Sequence, residues 1–148
     1  MSDPLHRLLP LPLLVERQPG SLTVTPRTRV VQAPGSPLQE HAVQHLVGDL
    51  HRATGMHLSR AAAALEGDIV LQLDGGDDEH GDEGYHLDID EHGVRICAAT
   101  AHGLWNGSRT LLQLFAHERG DTSLPCIHIV DRPRFEWRGA MLDVARHF

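Results

Sequence analysis

Apolar residues along the chain follow two periods, one typical of strands and the other typical of helices. Alternation with period two, together with short apolar or β-branched runs, predicts strands. These strands fall at residues 22–24, 28–32, 68–73, 85–89, 94–98, 125–130 and 138–144. Glu91-His92-Gly93 connects 85–89 to 94–98, which indicates a short hairpin turn between these two strands.

A first helix is predicted over residues 33–55. Ser36 is a candidate N-cap, Pro37 stands at the first helical position, and Gly55 suits the residue after the last turn. An apolar stripe at four-residue spacing is expected to face the core. The stripe consists of Leu38, Ala42, Leu46 and Leu50.

A second helix is predicted over residues 101–118, with Thr100 as its cap and Gly120 as its stop signal. Its inner stripe consists of Leu104, Leu111, Leu112 and Phe115. Gly103 and Gly107 lie four residues apart on this helix. Each costs about 1 kcal/mol in helix propensity, so we expect them to permit close packing of the helix on a neighbour.

The order of the predicted elements up to residue 130, ββαβββαβ, indicates an α+β fold. Each helix has one apolar stripe and needs a sheet to cover it. We therefore expect a mostly antiparallel sheet with two helices packed on one face.

Length and charge narrow the classes of function. The 148 residues make one ordinary domain, with 41% hydrophobic and 22% charged residues. The net charge is −7 and the chain has no lysine, so neither nucleic acid nor an anionic membrane is an expected partner. Cys97 and Cys126 lie inside apolar runs and are expected to be buried free thiols.

The start of the chain holds a short apolar run, residues 8–15, that Pro10 and Pro12 interrupt. The chain has no stretch of 18 apolar residues, so no membrane-spanning helix is predicted. The start of the chain also lacks a basic region followed by a small-residue cleavage site, so no signal peptide is predicted. The compartment stays open between a bacterial cytoplasm and the periplasm or exterior.

Two stretches of the chain resemble the N-terminal domain of family 20 glycoside hydrolases, the β-N-acetylhexosaminidases. One is a hairpin followed by a glycine-containing helix, carried by Tyr85, Leu87, Ile89, Gly93, Val94, Ile96, Ala99, Gly103, Gly107, Thr110, Leu111, Gln113 and Leu114. The other is residues 131–148, DRPRFEWRGAMLDVARHF, which is similar to the junction where that family enters its catalytic barrel. Ala145 departs from the family pattern, which has Ser there.

The resemblance implies a zincin-like α+β domain at residues 1–130 and the first barrel strand at 131–148. It also implies a parent enzyme that removes terminal N-acetylglucosamine or N-acetylgalactosamine from glycans by a substrate-assisted, retaining mechanism. The catalytic Asp-Glu pair of that family lies downstream, so this chain alone is expected to be inactive. Its expected partners are its own barrel domain and, in the longer protein, a glycan.

The resemblance assigns one substrate contact to this chain, Arg138, whose planar guanidinium suits paired sugar hydroxyls. The alternative for Arg138 is a structural ion pair, for example with Asp143. Asp143, Arg146 and His147 are expected to support the same strand end. Residues 77–79 form an acidic stretch that is expected to be a solvated loop without a catalytic role.

The residues leave three functions to compare for this chain. His41 and His45 have a spacing that can clamp a metal, but no Glu accompanies them, so a solvated helix face is preferred and neither metal nor cofactor is expected. A stand-alone carbohydrate-binding or protein-interaction module is the second alternative, disfavoured because only six aromatic residues are present. The third, which we favour, is a scaffold that buttresses the barrel.

Overall fold

The computed structural model describes residues 5, 8–32, 35, 37–74, 80–115 and 122–141. Within them lie seven strands and two helices. In chain order they are β1 (Leu14–Thr23), β2 (Arg29–Gln32), α1 (Pro37–Thr54), β3 (Ser59–Ala61), β4 (Ile69–Leu73), β5 (Tyr85–Asp90), β6 (Gly93–Ala98), α2 (Ala101–Leu114) and β7 (Ser123–Asp131). None of the helices in these residues is long and apolar enough to span a membrane.

All seven described strands form one sheet, in the order β1-β7-β5-β6-β4-β2-β3. The sheet is mixed rather than mostly antiparallel. The ladders β1–β7, β7–β5 and β5–β6 are antiparallel, whereas β6–β4, β4–β2 and β2–β3 are parallel. Parallel neighbours need crossover connections, and α1 supplies the one from β2 to β3.

Both helices pack on one face of the sheet, as predicted. α2 contacts β4, β5 and β6, while α1 contacts β2 and lies beside α2. The core between the two layers is almost entirely aliphatic. Its largest fully buried side chains are Leu46, Leu50, Ile69, Leu71, Leu87, Ile89, Ile96, Leu104, Leu111, Leu114, Leu124 and Ile127.

The stripe predicted for α1 is correct at Ala42, Leu46 and Leu50 but wrong at Leu38, which is exposed. A helix turns about 100° per residue, so a line drawn every four residues rotates by about 40° per step. Over three steps Leu38 has moved about 120° away from Leu50. Gln39 is eleven residues before Leu50, almost in line with it, and is the residue that is buried.

Helix α2 begins as predicted and ends earlier than predicted. The hydroxyl of Thr100 accepts hydrogen bonds from the backbone amides of His102 and Gly103. The helix ends at Leu114, because the backbone of Phe115 is extended (φ −66°, ψ 131°) and carries its ring into the core. The rest of the predicted helix, residues 116–118, lies outside the described residues.

The remaining differences concern a strand that was not predicted, the last predicted strand, and predictions that fall outside the described residues. Strand β3 was not predicted, because three residues carry too little pattern. Residues 138–141 are not in a strand, since no described strand pairs with their backbone, and the rest of that predicted strand, 142–148, lies outside the described residues. The candidate cap Ser36 and the acidic stretch at residues 77–79 lie outside them as well.

Candidate functional site

A cleft of about 670 Å³ opens along the side of α2, where residues 9–11 meet the residues that follow β7. We call residues 132–141, which follow β7, the junction segment. The cleft has walls from residues 9–11, from α2 and from the junction segment. Its polar lining includes Glu83, Tyr85, Asn106, Arg109, Thr110, Gln113, Asp131, Arg132, Arg134 and Arg138.

The floor of the cleft is a buried hydrogen-bond network around Tyr85. The phenol oxygen lies 2.5 Å from the hydroxyl of Thr110 and donates to Oδ2 of Asp131 at 3.3 Å. Burial, reinforced by the neighbouring Asp131 carboxylate, raises the pKa of Tyr85 well above its ordinary value. The phenol therefore stays neutral and serves as a structural link between β5, α2 and β7.

The same network holds the start of the described chain in place. Oδ1 of Asp131 accepts a hydrogen bond from the amide of Leu13 at 3.2 Å. The side-chain carbonyl of Gln113 on α2 accepts one from the amide of Leu9 at 2.8 Å. These contacts account for positions 113 and 131, which the resemblance had marked without giving them a role.

Residues 80–84, here called the 80–84 loop, lie directly on α2. A Cβ at Gly103 would collide with the carbonyl oxygen of Gly84, so only glycine permits this approach. The side-chain amide of Asn106 donates to the carbonyl of Glu83 at 2.9 Å, and the Thr100 hydroxyl donates to the carbonyl of Asp82. The loop therefore has a rigid base from which the Glu83 side chain projects.

Glu83 contacts the one predicted substrate residue that the structure describes, Arg138. Nη2 of Arg138 donates to Oε2 of Glu83, and Nη1 donates to the carbonyl of Phe135 at 2.6 Å. Nε2 of His102 lies 3.6 Å from the same Glu83 oxygen. Of the four predicted site residues only Arg138 can be located, because Asp143, Arg146 and His147 lie outside the described residues.

Exposed apolar side chains surround the mouth of the cleft and the junction segment. Phe135 is 72% exposed, Trp137 91% and Met141 94%. Leu9 and Leu11, on the opposite wall, are also exposed. Such a concentration of large exposed apolar side chains is typical of an interaction surface rather than of a solvated one.

A second cluster joins the two helices next to the cleft. The guanidinium of Arg109 lies 4.3 Å from the centre of the Trp105 ring and pairs with Asp49 of α1. Partial burial acts to raise the pKa of Asp49, but its ion pairs with Arg109 and Arg52 outweigh this and lower it. The cluster clamps α1 to α2.

His41 and His45 lie beside each other and beside the Trp105 ring of this cluster. Their ring centres are 4.3 Å apart and lie 6.3 Å and 5.4 Å, respectively, from the centre of the Trp105 ring. Over the described ranges, no group of three or more His, Cys, Asp and Glu side chains has the arrangement of a metal site. Cys97 is half-buried and Cys126 buried, both are free thiols, and burial raises the pKa of each.

Sequence reasoning did not identify Glu83, Arg109 or the Tyr85 network as parts of a site. Tyr85 and Thr110 did stand out as positions of the motif, and a buried tyrosine needs a partner for its hydroxyl. That need was the available signal for the network. Glu83 gave no such signal, because an acidic side chain in a polar, glycine-rich part of the sequence is expected to be solvated.

Comparison with known proteins gives one family. The chain matches the family model described as glycosyl hydrolase family 20, domain 2, over residues 5–132. It is 33% identical over 144 residues to a beta-N-acetylhexosaminidase from Cellulomonas fimi and 34% identical over 141 residues to a beta-hexosaminidase from Vibrio furnissii. Each alignment covers 95% of this chain, but only 29% and 22% of the relative, respectively.

Solved structures give the same result. An N-acetyl-beta-hexosaminidase from Streptomyces plicatus is 37% identical, with a TM-score of 0.84. A family 20 beta-N-acetylhexosaminidase from Streptomyces coelicolor A3(2) is 34% identical, with a TM-score of 0.83. In both cases the match covers 99% of this chain and 30% of the other. The chain is thus similar to one part of a longer protein.

Proposed function

The chain belongs to glycosyl hydrolase family 20 through its domain 2, and from this premise we propose that it is the non-catalytic N-terminal domain of a β-N-acetylhexosaminidase. In this role it supports a catalytic barrel that follows it. The end of the family match at residue 132 supports a boundary close to residue 130, with residues 131–148 forming the junction and the first barrel strand.

The exposed apolar surface around the junction segment is the observation that carries this proposal. Phe135, Trp137 and Met141 lie on the stretch that leads away from the sheet. Burying an aromatic or methionine side chain of this size is worth about 1.5–3 kcal/mol, so three of them amount to a substantial driving force for association. A barrel attached at this point is the partner to which they are nearest.

The reaction of the longer protein is proposed from its relatives. Hexosaminidases hydrolyse terminal N-acetylhexosamine, and relatives of this chain carry that activity in their names. The reacting carboxylates belong to the barrel, and this domain contributes stability and orientation. Absence of nucleic acid and of a membrane among the partners is part of the proposal and is supported by the acidic composition.

Arg138 as a sugar contact, with Asp143, Arg146 and His147 in support, stays a prediction. The contacts of Arg138 favour the alternative considered from the sequence, a structural ion pair. The partner among the described residues is Glu83, and Asp143 lies outside them.

The test compares this chain with the longer protein on p-nitrophenyl-N-acetylglucosaminide. The longer protein is expected to be active and the 148-residue chain inactive. Deleting residues 1–130 from the longer protein is expected to abolish activity or solubility, because the barrel then exposes the surface that this domain covers. Full activity and solubility after that deletion would contradict the scaffold role.

A binding experiment separates the alternative of a stand-alone carbohydrate-binding module. The chain alone is passed over immobilised chitin-derived and glycoprotein-derived glycans. The scaffold role predicts no retention. Retention that depends on Trp137 would favour the binding module instead.

A further inference from the structure

We infer that Asn106 and Gly107 form a latent deamidation site, which the packing of α2 creates and the folded state of α2 keeps unreactive. Asn106 is the only asparagine among the 148 residues, and Gly107 follows it directly. Glycine after asparagine favours spontaneous cyclisation, because glycine has no side chain to hinder attack by its backbone nitrogen and leaves the backbone free to rotate. The reaction needs water and no enzyme, and it makes an opening of α2 permanent.

The reaction joins the backbone nitrogen of Gly107 to Cγ of Asn106. The lone pair of that nitrogen forms the new N–Cγ bond, the Cγ–Nδ2 bond breaks with its electron pair on Nδ2, and Nδ2 leaves as ammonia with the proton of the Gly107 amide. Water then opens the cyclic imide. Opening at Cγ gives aspartate at position 106, whereas opening at the main-chain carbonyl gives isoaspartate, whose backbone runs through Cβ and Cγ.

The packing of α2 on the sheet is the reason that a glycine follows Asn106. A Cβ at position 107 would collide with Cγ2 of Ile96 and press on the ring of Tyr85. Any larger residue there would force the helix away from the sheet. The fold therefore keeps glycine at this position although glycine lowers helix propensity, and the reactive pair is a consequence of close packing.

The folded helix holds the two reacting groups apart. Gly107 is an interior residue of α2, so its amide is engaged in a helical hydrogen bond. Nδ2 of Asn106 donates to the carbonyl of Glu83 at 2.9 Å, which fixes the side chain against the 80–84 loop. Cyclisation requires the backbone of Asn106 to leave its helical conformation, so that the nitrogen of Gly107 can reach Cγ. It therefore requires α2 to open.

The product cannot restore the contact that Asn106 makes. A carboxylate has no proton to donate at neutral pH, so the carbonyl of Glu83 loses its donor and faces a negative charge instead. Isoaspartate also lengthens the backbone and interrupts the helical hydrogen bonds. The 80–84 loop, which forms part of the cleft wall through Glu83, then keeps only its contacts with Thr100 and Gly103.

Mass spectrometry tests the site with little ambiguity. Because the chain has no lysine, trypsin releases Asn106 in one peptide, residues 96–109. At pH 8, conversion of Asn106 in urea above the unfolding transition is expected to be at least about a hundredfold faster than in the folded chain, which reacts only through its open fraction. Rates in the folded and unfolded chain within about threefold of each other would overturn the protection by the fold.

Gly107→Ala tests the chemistry without requiring the variant to fold. In the same urea solution its Cβ is expected to slow conversion of Asn106 severalfold, because it hinders attack by the backbone nitrogen. Equal rates for wild type and Gly107→Ala in urea would overturn the assignment of the reactive pair.

Two threonine variants locate the opening that exposes the site. Thr100→Ala removes the cap of α2 and is expected to raise the conversion rate of the folded chain about fivefold, the factor that a lost cap gives. Thr54→Ala is the matched control, since its hydroxyl bonds the backbone at the end of α1. It is expected to leave the rate within about twofold of wild type. Equal acceleration by both variants would assign the protection to overall stability and overturn the role of α2.

Asn106→Asp reproduces one of the two products and tests whether the change is permanent. It is expected to raise the equilibrium constant of unfolding in urea about five- to tenfold, because the carbonyl of Glu83 loses its donor. Gln44→Glu makes the same exchange of amide for acid at an exposed position of α1 and is expected to change that constant less than about twofold. Equal stability of wild type and Asn106→Asp would overturn the permanent opening.

Discussion

At the scale of single residues, Gly107 is a position where packing leaves no room for a side chain. A Cβ there would lie 2.6 Å from Cγ2 of Ile96 and 3.0 Å from a ring carbon of Tyr85. Glycine at this position lets α2 pack closely on the sheet and cover the core between them. The close packing predicted for Gly103 and Gly107 from their spacing is confirmed.

Gly107→Ala is expected to destabilise the protein by up to about 2 kcal/mol, since overpacking costs about 1–3 kcal/mol and the gain in helix propensity returns about 1 kcal/mol. Gly48 is the matched control, because it lies inside α1 with no atom within 4 Å of an added Cβ. Gly48→Ala is expected to stabilise by about 0.5–1 kcal/mol. Urea unfolding measures both, and equal effects at the two positions would contradict the packing argument.

Asp68 is a buried charge that joins the start of β4 to the start of β2. Its side chain is 3% exposed and accepts hydrogen bonds from the amides of Arg29 and Leu65 at 3.0 Å and 2.8 Å, and from the Arg29 guanidinium. Burial acts to raise the pKa of Asp68, but these bonds outweigh burial and lower the pKa below its ordinary value.

Asp68→Asn is expected to cost about 2–4 kcal/mol at pH 7, because it leaves the Arg29 guanidinium without its counter-charge. The lowered pKa means that the wild type holds this stabilisation above the unfolded pKa, near 3.8, and loses it as the pH falls through the lower folded value. The difference in the free energy of unfolding between wild type and Asp68→Asn should therefore become smaller below pH 4. Exposed Glu136→Gln is the control, and urea unfolding at pH 7 and pH 3 gives the comparison. A difference of the same size at pH 7 and pH 3 would contradict the assignment of this stabilisation to the ionised Asp68 carboxylate.

At the scale of elements, the clamp of Asp49, Trp105 and Arg109 joins the two helices outside the core. Arg109→Gln removes both the ion pair and the contact with the indole ring, so we expect a loss of about 1–2 kcal/mol. Arg52→Gln is a matched control, because Arg52 pairs with the same carboxylate from an exposed position. It is expected to cost less than about 0.5 kcal/mol. Urea unfolding distinguishes the two, and equal losses would contradict the role of Trp105.

The elements that the sequence predicts well are those with several turns or alternations. Helix α1, helix α2 up to Leu114 and the β5–β6 hairpin are long enough for their apolar periods to stand out. β1 runs from Leu14 to Thr23, much longer than the predicted strand 22–24. Eight of its ten residues are exposed, and Pro19 with Gly20 interrupts the pattern. Strand direction was not predictable, because β4 reads the same whether its neighbours run parallel or antiparallel.

The candidate site was less predictable than the fold, for a physical reason. Tyr85, Thr110 and Asp131 are separated by up to 46 residues and meet only after the sheet has formed. The role of Arg138 in a site stays a prediction, and its partner Glu83 could not be read from the sequence. An ion pair between residues 55 apart has no local signature.

At the scale of the whole molecule, the exposed apolar surface around the junction segment predicts how the isolated chain behaves. Without a covering partner, Phe135 and Trp137 are expected to drive self-association. Replacing both with Ser is expected to shift the chain toward monomer in size-exclusion chromatography with light scattering. Leu38→Ser, on an exposed position of α1, is the control and is expected to leave the distribution unchanged. Equal shifts would mean that general hydrophobicity, and not this surface, causes association.

The pairing of β1 with β7 has a consequence for synthesis on the ribosome. Thr23 pairs with Ser123 and Leu14 with Val130, so about a hundred residues of translation separate the two partners. At about 5–20 residues per second, the nascent first strand waits roughly 5–20 s for its neighbour. During that interval its backbone donors and acceptors must be kept from other chains by water or a chaperone. The sheet can therefore be completed only after β7 has been synthesised, so the pairing of the first strand is among the last contacts of the fold to form.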